Sequence, residues 1–214
     1  SDVNVFAGTL QLYNSPYSQS SAPFSSGRVT VRNGGTLTGM GCAGDVTVNR
    51  GGTVMAGYNS SYGTLKATGT VTLEEGSRLV VKVSSSYNDS YSFTGSVIHG
   101  GETIVIVLDD SRILETGEEL TLFKNIASMN GTYTIKTEGG TQNITWDDSE
   151  LLTRGVLRVA SATTAINAIT GADGKADVYS VDGLLLRKDV ALTEALDGLP
   201  AGVYVINGRK VVKR

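Results

Sequence analysis

The sequence predicts an all-β fold, a parallel β-helix of stacked coils followed by a small antiparallel, β-sandwich-like module. Three observations predict it. Glycine takes 27 of 214 positions and proline only three, about double the usual glycine share. A strand–turn–strand pattern recurs within the first eighty residues. After residue 166 that pattern gives way to two tight hairpin signals.

The recurring pattern reads V-T-V-R-N-G-G-T-L at 29–37, V-T-V-N-R-G-G-T-V at 46–54 and V-T-L-E-E-G-S-R-L at 71–79. The offsets, 29 to 46 and 46 to 71, each suit one coil, the second carrying a loop. In every copy the first and third residues are apolar: Val29 and Val31, Val46 and Val48, Val71 and Leu73. Alternate residues of a strand share a face, so these pairs point one way. A polar-glycine turn follows, then Leu37, Val54 or Leu79 marks the next short strand. One coil cannot bury such a row alone, whereas stacked coils make a continuous core. Each inward Val or Leu then contributes roughly 1.5–3 kcal/mol. An antiparallel sandwich is the alternative. The glycine turn standing at the same place between both flanking strands favours the stack.

Residues 1–160 are therefore assigned to the repeat domain, 161–166 (Ser-Ala-Thr-Thr-Ala-Ile) to a small, polar linker, and 167–214 to the C-terminal module. In that module Val-Asp-Gly at 181–183 separates Ala176 to Ser180 from Leu184 to Arg187, and Asn207-Gly208 separates Val203 to Ile206 from Lys210 to Val212. Asp-Gly and Asn-Gly supply the positive φ angles of two-residue hairpin turns.

Composition narrows function. A net charge of −3 without a basic stripe argues against nucleic acid. No apolar run reaches the ~20 residues of a transmembrane helix. Cys42 is the only cysteine, which excludes an internal disulfide and a thiolate metal cluster. The chain opens Ser-Asp-Val without Met or an apolar leader, so Ser1 is read as a cut within a longer precursor.

The segments at 34–54, 57–83, 100–108, 117–133 and 144–159 together resemble the repeats associated with autotransporter passenger domains. Tyr58 to Tyr62 stand where that family usually has a Pro-Gly-Asn-Ser loop. The resemblance implies a right-handed β-helix displayed outside the cell, usually an adhesive or structural stalk. V-Y-S-V-D-G-L-L-L-R at 178–187 and L-P-A-G-V-Y-V-I-N-G-R-K-V-V-K-R at 199–214 are similar to C-terminal domains of exported Bacteroidetes proteins. Those resemble the sorting domains read by the type IX secretion system, so the likeness implies a secreted or outer-membrane-surface location, with secretion machinery as a possible partner.

The most specific local signal is Y-N-x-x-Y, present as Tyr13-Asn14-Ser15-Pro16-Tyr17, Tyr58-Asn59-Ser60-Ser61-Tyr62 and Tyr87-Asn88-Asp89-Ser90-Tyr91. Tyrosine offers a flat apolar face with a hydroxyl at low entropic cost, and asparagine offers both donor and acceptor. Candidate ligand-binding residues are thus Tyr13, Asn14, Tyr17, Tyr58, Asn59, Tyr62, Tyr87, Asn88 and Tyr91, toward a glycan or a surface protein. The competing reading has these rings packed on one another or sealing the coil edges.

No catalytic residue, cofactor or metal site is assigned. Glu74-Glu75, Asp109-Asp110, Glu118-Glu119 and Asp147-Asp148 are adjacent pairs. Neighbours on a strand point to opposite faces, so none converges by itself. His99 is the sole histidine and lacks partners for a zinc site or a Ser-His-Asp triad. Asp173 to Asp177 resembles a calcium loop without its bidentate glutamate. Trp146 is read as a core residue rather than a sugar platform. The expectation is a non-enzymatic surface protein for adhesion or glycan contact. The alternatives are the stalk of a larger polysaccharide-active enzyme or a purely structural spacer.

Overall fold

The alternation of β-branched residues with glycine turns produces strands almost throughout. In the computed structural model, which describes residues 2–13, 27–58, 61–109, 112–164, 174–207 and 209–213, the described residues are 63% strand and 4% helix. Two compact units are present, residues 1–140 with 146–160 and residues 141–145 with 161–214.

In the first unit the chain repeatedly lays down strands in the same rotation. The first circuit has β1 (Asp2–Val5) and β2 (Gly8–Leu12), and the next has β3 (Arg28–Val31), β4 (Gly35–Gly39) and β5 (Cys42–Ala43). Then come β6 (Val46–Val48), β7 (Thr53–Ala56) and β8 (Thr64–Ala67), followed by β9 (Val71–Glu74), β10 (Arg78–Val83) and β11 (Ser90–Phe93). The long β12 (Ser96–Leu108) precedes β13 (Glu119–Thr121), β14 (Phe123–Lys124) and the nearly as long β15 (Ser128–Gly139). Three parallel ladders result. They run β1-β3-β6-β9-β12, β2-β4-β7-β10-β12 and β5-β8-β11-β14. The first two share β12 and form one large parallel sheet, with β15 paired along β12.

The register matches the repeats residue by residue. Val29, Val46, Val71 and Val97 are aligned partners, as are Val31, Val48, Leu73 and His99. Leu37, Val54, Leu79 and Ile104 align in the second ladder. All these aliphatic residues are buried. The third ladder is lined differently, by Leu65, Tyr91 and Phe123 in one row and Ala43, Ala67 and Phe93 in another. The rings of Tyr91, Phe93 and Phe123 pack at centroid distances of 5.3–6.2 Å, the tilted geometry that aromatic quadrupoles prefer.

The corner between the first two ladders explains the glycine turn. Gly34, Gly51 and Gly76 have φ of 80°, 75° and 75°, a region costly for residues with a Cβ. Their amides stack, Gly34 N–H donating to the Gly51 carbonyl and Gly51 N–H to the Gly76 carbonyl, both at 3.0 Å. The left-handed turn thus replaces a ladder bond where the chain changes direction.

The remaining strands are β16 (Gln142–Asp147), a short helix α1 (Leu151–Arg154), β17 (Val156–Thr164), β18 (Lys175–Ser180), β19 (Leu185–Ala191), β20 (Gly202–Ile206) and β21 (Arg209–Lys213). β13, β17 and β16 form a three-stranded sheet, with β13 and β17 antiparallel. The expected linker at 161–166 therefore begins as strand, since β17 runs to Thr164. Residues 165 and 166 lie outside the described residues. In the second unit, β19-β18-β20-β21 is a single antiparallel sheet around Ala176, Val178, Leu192, Ala195, Leu196, Tyr204, Ile206 and Val211. Its hairpins fall where Asp182-Gly183 and Asn207 predict, with φ of 84° at Gly183 and 46° at Asn207. The Lys213 ammonium donates to the carbonyls of Leu196 and Leu199, each at 2.7 Å. The terminal strand is thereby fastened to the 192–199 segment.

Candidate binding site

All three Y-N-x-x-Y motifs follow a strand of the second ladder. Tyr13 comes directly after β2, Tyr58 shortly after β7, and Tyr87 lies between β10 and β11. Stacking therefore assigns Tyr13, Tyr58 and Tyr87 to the same end of the β2-β4-β7-β10 ladder, in which the β4 circuit carries no such motif. Ser84 Oγ accepts the Tyr87 N–H at 3.1 Å, and Tyr58 and Ser61 form an isolated bridge.

The structure separates the candidate tyrosines. Tyr13, Tyr58 and Tyr87 are 65%, 39% and 70% exposed, and Tyr62 is half-buried. The rings of Tyr62 and Tyr87 stack with centroids 6.5 Å apart and 28° between planes. Tyr91 departs from the ligand-binding expectation, being fully buried in the aromatic row of the third ladder. Its hydroxyl donates to the Val80 carbonyl at 2.5 Å and accepts the Ala56 N–H at 3.2 Å. Burial and the nearby Asp89 raise its pKa well above the usual phenol value. Asn88 is likewise engaged internally, its amide donating to the carbonyls of Asp89 at 2.8 Å and Thr121 at 3.0 Å. Asn14, Tyr17 and Asn59 lie outside the described residues.

Asp89 and Lys82, which sequence reasoning did not select, organise this corner. The Asp89 side chain is fully buried. One carboxylate oxygen accepts the Gly63 N–H at 2.9 Å, and the other accepts the Lys82 N–H at 3.1 Å. Its pKa is pushed up to about 6, because burial outweighs the two N–H donors and the Lys82 ammonium 3.7 Å away. That ammonium also donates to the Ser61 carbonyl at 2.5 Å and lies 5.4 Å from the centre of the Tyr62 ring, within cation–π range. The motif spacing carries the only sequence signal for Asp89, which is the third residue of one Y-N-x-x-Y copy.

A second polar cluster is sealed inside. His99 and Glu102 are buried, with Nδ1 and Oε1 2.5 Å apart. The His99 ring meets Phe123 and Tyr133 edge-on at 5.8 and 5.3 Å. Burial, a hydrogen bond to Asp148 and the nearby carboxylates raise the Tyr133 pKa. His99 Nε2 and Glu102 Oε2 lack hydrogen-bond partners among the described residues. In a regular strand, residues three apart face opposite ways. Here Gly101, with φ of 101°, is an extra residue in a bulge, and it brings both side chains inward.

The adjacent Glu118 and Glu119 are separated by their partners. Glu118 pairs with Arg112, whereas Glu119 meets Arg158 at 2.5 Å and Arg154 at 3.8 Å. Trp146 is half-buried and donates to Thr137 Oγ1 at 2.9 Å. Cys42 is a half-buried thiol whose pKa is raised by burial. Among the described residues no group of three or more His, Cys, Asp or Glu is arranged to hold a metal ion, and no helix is long and apolar enough to cross a membrane. No protein-family model, curated protein or solved structure matches the chain.

Proposed function

We propose that the first unit is a right-handed parallel β-helix displayed at the cell surface or secreted, a non-enzymatic module for adhesion through glycan contact. The observation that carries the reading is the stack of half-buried Tyr62 on exposed Tyr87 near exposed Tyr58, with the corner's lysine engaged by Asp89 and Ser61. Stacked phenol rings present a rigid, amphipathic face, and their hydroxyls add hydrogen bonding at low entropic cost. The rotation of strands through three parallel ladders supports the β-helical reading, since each circuit buries its inward row only against the next. The four-stranded second unit is read as an export or anchoring module, a reading that its likeness to sorting domains supports.

The test is a glycan-array screen of the full chain beside a Tyr58→Ala/Tyr62→Ala/Tyr87→Ala variant, with Tyr91 retained for the core. Binding by the native chain that the folded variant loses is the expected result. Silence of the native chain across the array would remove the glycan reading and favour a spacer.

A further inference from the structure

The aromatic corner presents one ring that is both exposed and supported. Tyr87 is the most exposed of the described motif tyrosines, and its ring stacks on half-buried Tyr62 with centroids 6.5 Å apart. A ring so exposed, with one side turned to Tyr62, keeps its other face open to solvent. Tyr62 already has two neighbours, the Tyr87 ring and the Lys82 ammonium 5.4 Å from its centre. Tyr58 has no ring partner among the described residues.

The backbone under Tyr87 is pinned by Ser84. The Ser84 N–H donates to the Tyr87 carbonyl at 2.7 Å, and the Ser84 hydroxyl donates to the same carbonyl at 3.1 Å. In return the Tyr87 N–H donates to that hydroxyl oxygen at 3.1 Å. The loop carrying the ring therefore needs little ordering on contact with a ligand. Asn88 beside it directs its amide donors inward, to the carbonyls of Asp89 and Thr121.

We propose that the corner holds one uncharged sugar ring at a time, on the open face of Tyr87, and so recognises a single sugar residue rather than a stretch of chain. This rests on the glycan-contact reading above. Two observations select the ligand. One supported phenol face matches the C–H face of one pyranose ring, with Tyr62 as the layer behind it. The Lys82 ammonium lies 3.7 Å from the Asp89 carboxylate and donates to the Ser61 carbonyl, so the pair carries no net charge to favour an acidic sugar.

The experiment is NMR titration of the full chain with the methyl glycosides of glucose, galactose, mannose, xylose and glucuronic acid, and with hexasaccharides of the neutral sugars. Native protein is compared with Tyr87→Ala and Tyr62→Ala, each checked for folding by circular dichroism. A neutral glycoside is expected to bind, and its hexasaccharide only a few-fold tighter, since it merely offers the site several identical rings. Two linked contacts would instead strengthen binding about a hundredfold or more. Tyr87→Ala is expected to weaken both lengths by roughly tenfold, as loss of one aromatic contact does, and Tyr62→Ala to weaken them less. A steep rise in affinity with chain length would overturn the single-ring site and leave the glycan reading standing. Tighter binding of the glucuronide than of the glucoside would overturn the choice of an uncharged sugar. Binding that Tyr87→Ala retains in full would remove the platform. Silence here and on the array removes the glycan reading and the single-ring site together.

Discussion

The buried carboxylate of Asp89 accepts the backbone N–H of Gly63 at 2.9 Å, tying the loop that carries Tyr87 to the loop that carries Tyr62. The bond joins the two segments whose Tyr62 and Tyr87 rings stack. The same carboxylate sets a pH dependence. Its pKa is about 6 in the folded chain, against about 3.9 in an unfolded one.

The folded state therefore binds this proton more readily than the unfolded state. The stability contributed by the group is fully present below about pH 3.9 and is lost as pH rises through about 6. Other carboxylates titrate as well, so the comparison is with Asp89→Asn. The melting temperature of native protein relative to this variant should rise as pH falls from about 7.5 to about 4. A difference that stays constant over that window would rule out the assignment.

Protonating Asp89 also removes the counter-charge of Lys82. Ligand binding at the tyrosine corner should therefore weaken below about pH 6, and Asp89→Asn should bind weakly at every pH. Titrations of the native chain and the variant at several pH values check this. Equal, pH-independent affinities would show that the ion pair does not position the rings.

Tyr87 and Tyr91 belong to one motif and should respond oppositely. Tyr91→Phe leaves the Ala56 N–H and the Val80 carbonyl without their buried partner and should cost about 1–3 kcal/mol. Tyr87→Ala, at an exposed position, should change stability by less than ~0.5 kcal/mol while reducing binding. Denaturant titrations of both variants decide, and a destabilised Tyr87→Ala would mean that its ring seals the coil edge.

Breaking the His99–Glu102 pair should cost more than removing it. A buried polar group left without its hydrogen-bond partner typically costs about 1–3 kcal/mol, whereas apolar replacement of both partners is often neutral or stabilising. Equilibrium unfolding of His99→Leu, Glu102→Leu and the double variant should show each single change to be worse than the pair. Additive effects would argue against coupling.

Gly39 should resist any side chain. Its φ is 120°, and a Cβ there would fall on the Leu12 carbonyl. Gly39→Ala should therefore disturb the corner under Tyr13 and Met40 and lower the melting temperature, measurable by circular dichroism. Gly8→Ala provides the contrast, because its φ of 73° is also positive but no atom lies within 4 Å of its Cβ position.

The parallel register of the first unit was legible because Val-Thr-Val and the glycine turn recur together, and period-two alternation fixes which residues face inward. The antiparallel hairpins of the second unit were legible from Asp182-Gly183 and Asn207. The roles within Y-N-x-x-Y were not. Tyr87 and Tyr91 are chemically identical, and only the start of β11 at Ser90 turns the second ring into the core. Asp89 escaped notice for a related reason, since an acid in a Ser/Asn-rich loop reads as solvated until a glycine N–H from an earlier circuit is brought against it. His99 and Glu102 were hidden by the bulge, because their spacing alone assigns them to opposite faces.

That bulge has a consequence for how the chain tolerates change. Earlier circuits pass from the first ladder to the second through a separate turn, but β12 serves both ladders without leaving the sheet. Gly101 is what lets Val97 and His99 on one side of it, and Glu102, Ile104 and Ile106 on the other, all face inward. Losing that one residue would leave the composition almost untouched but invert the phase of everything after it, turning Ile104 and Ile106 away from the core they now fill. For this strand, the count of residues matters more than their chemistry.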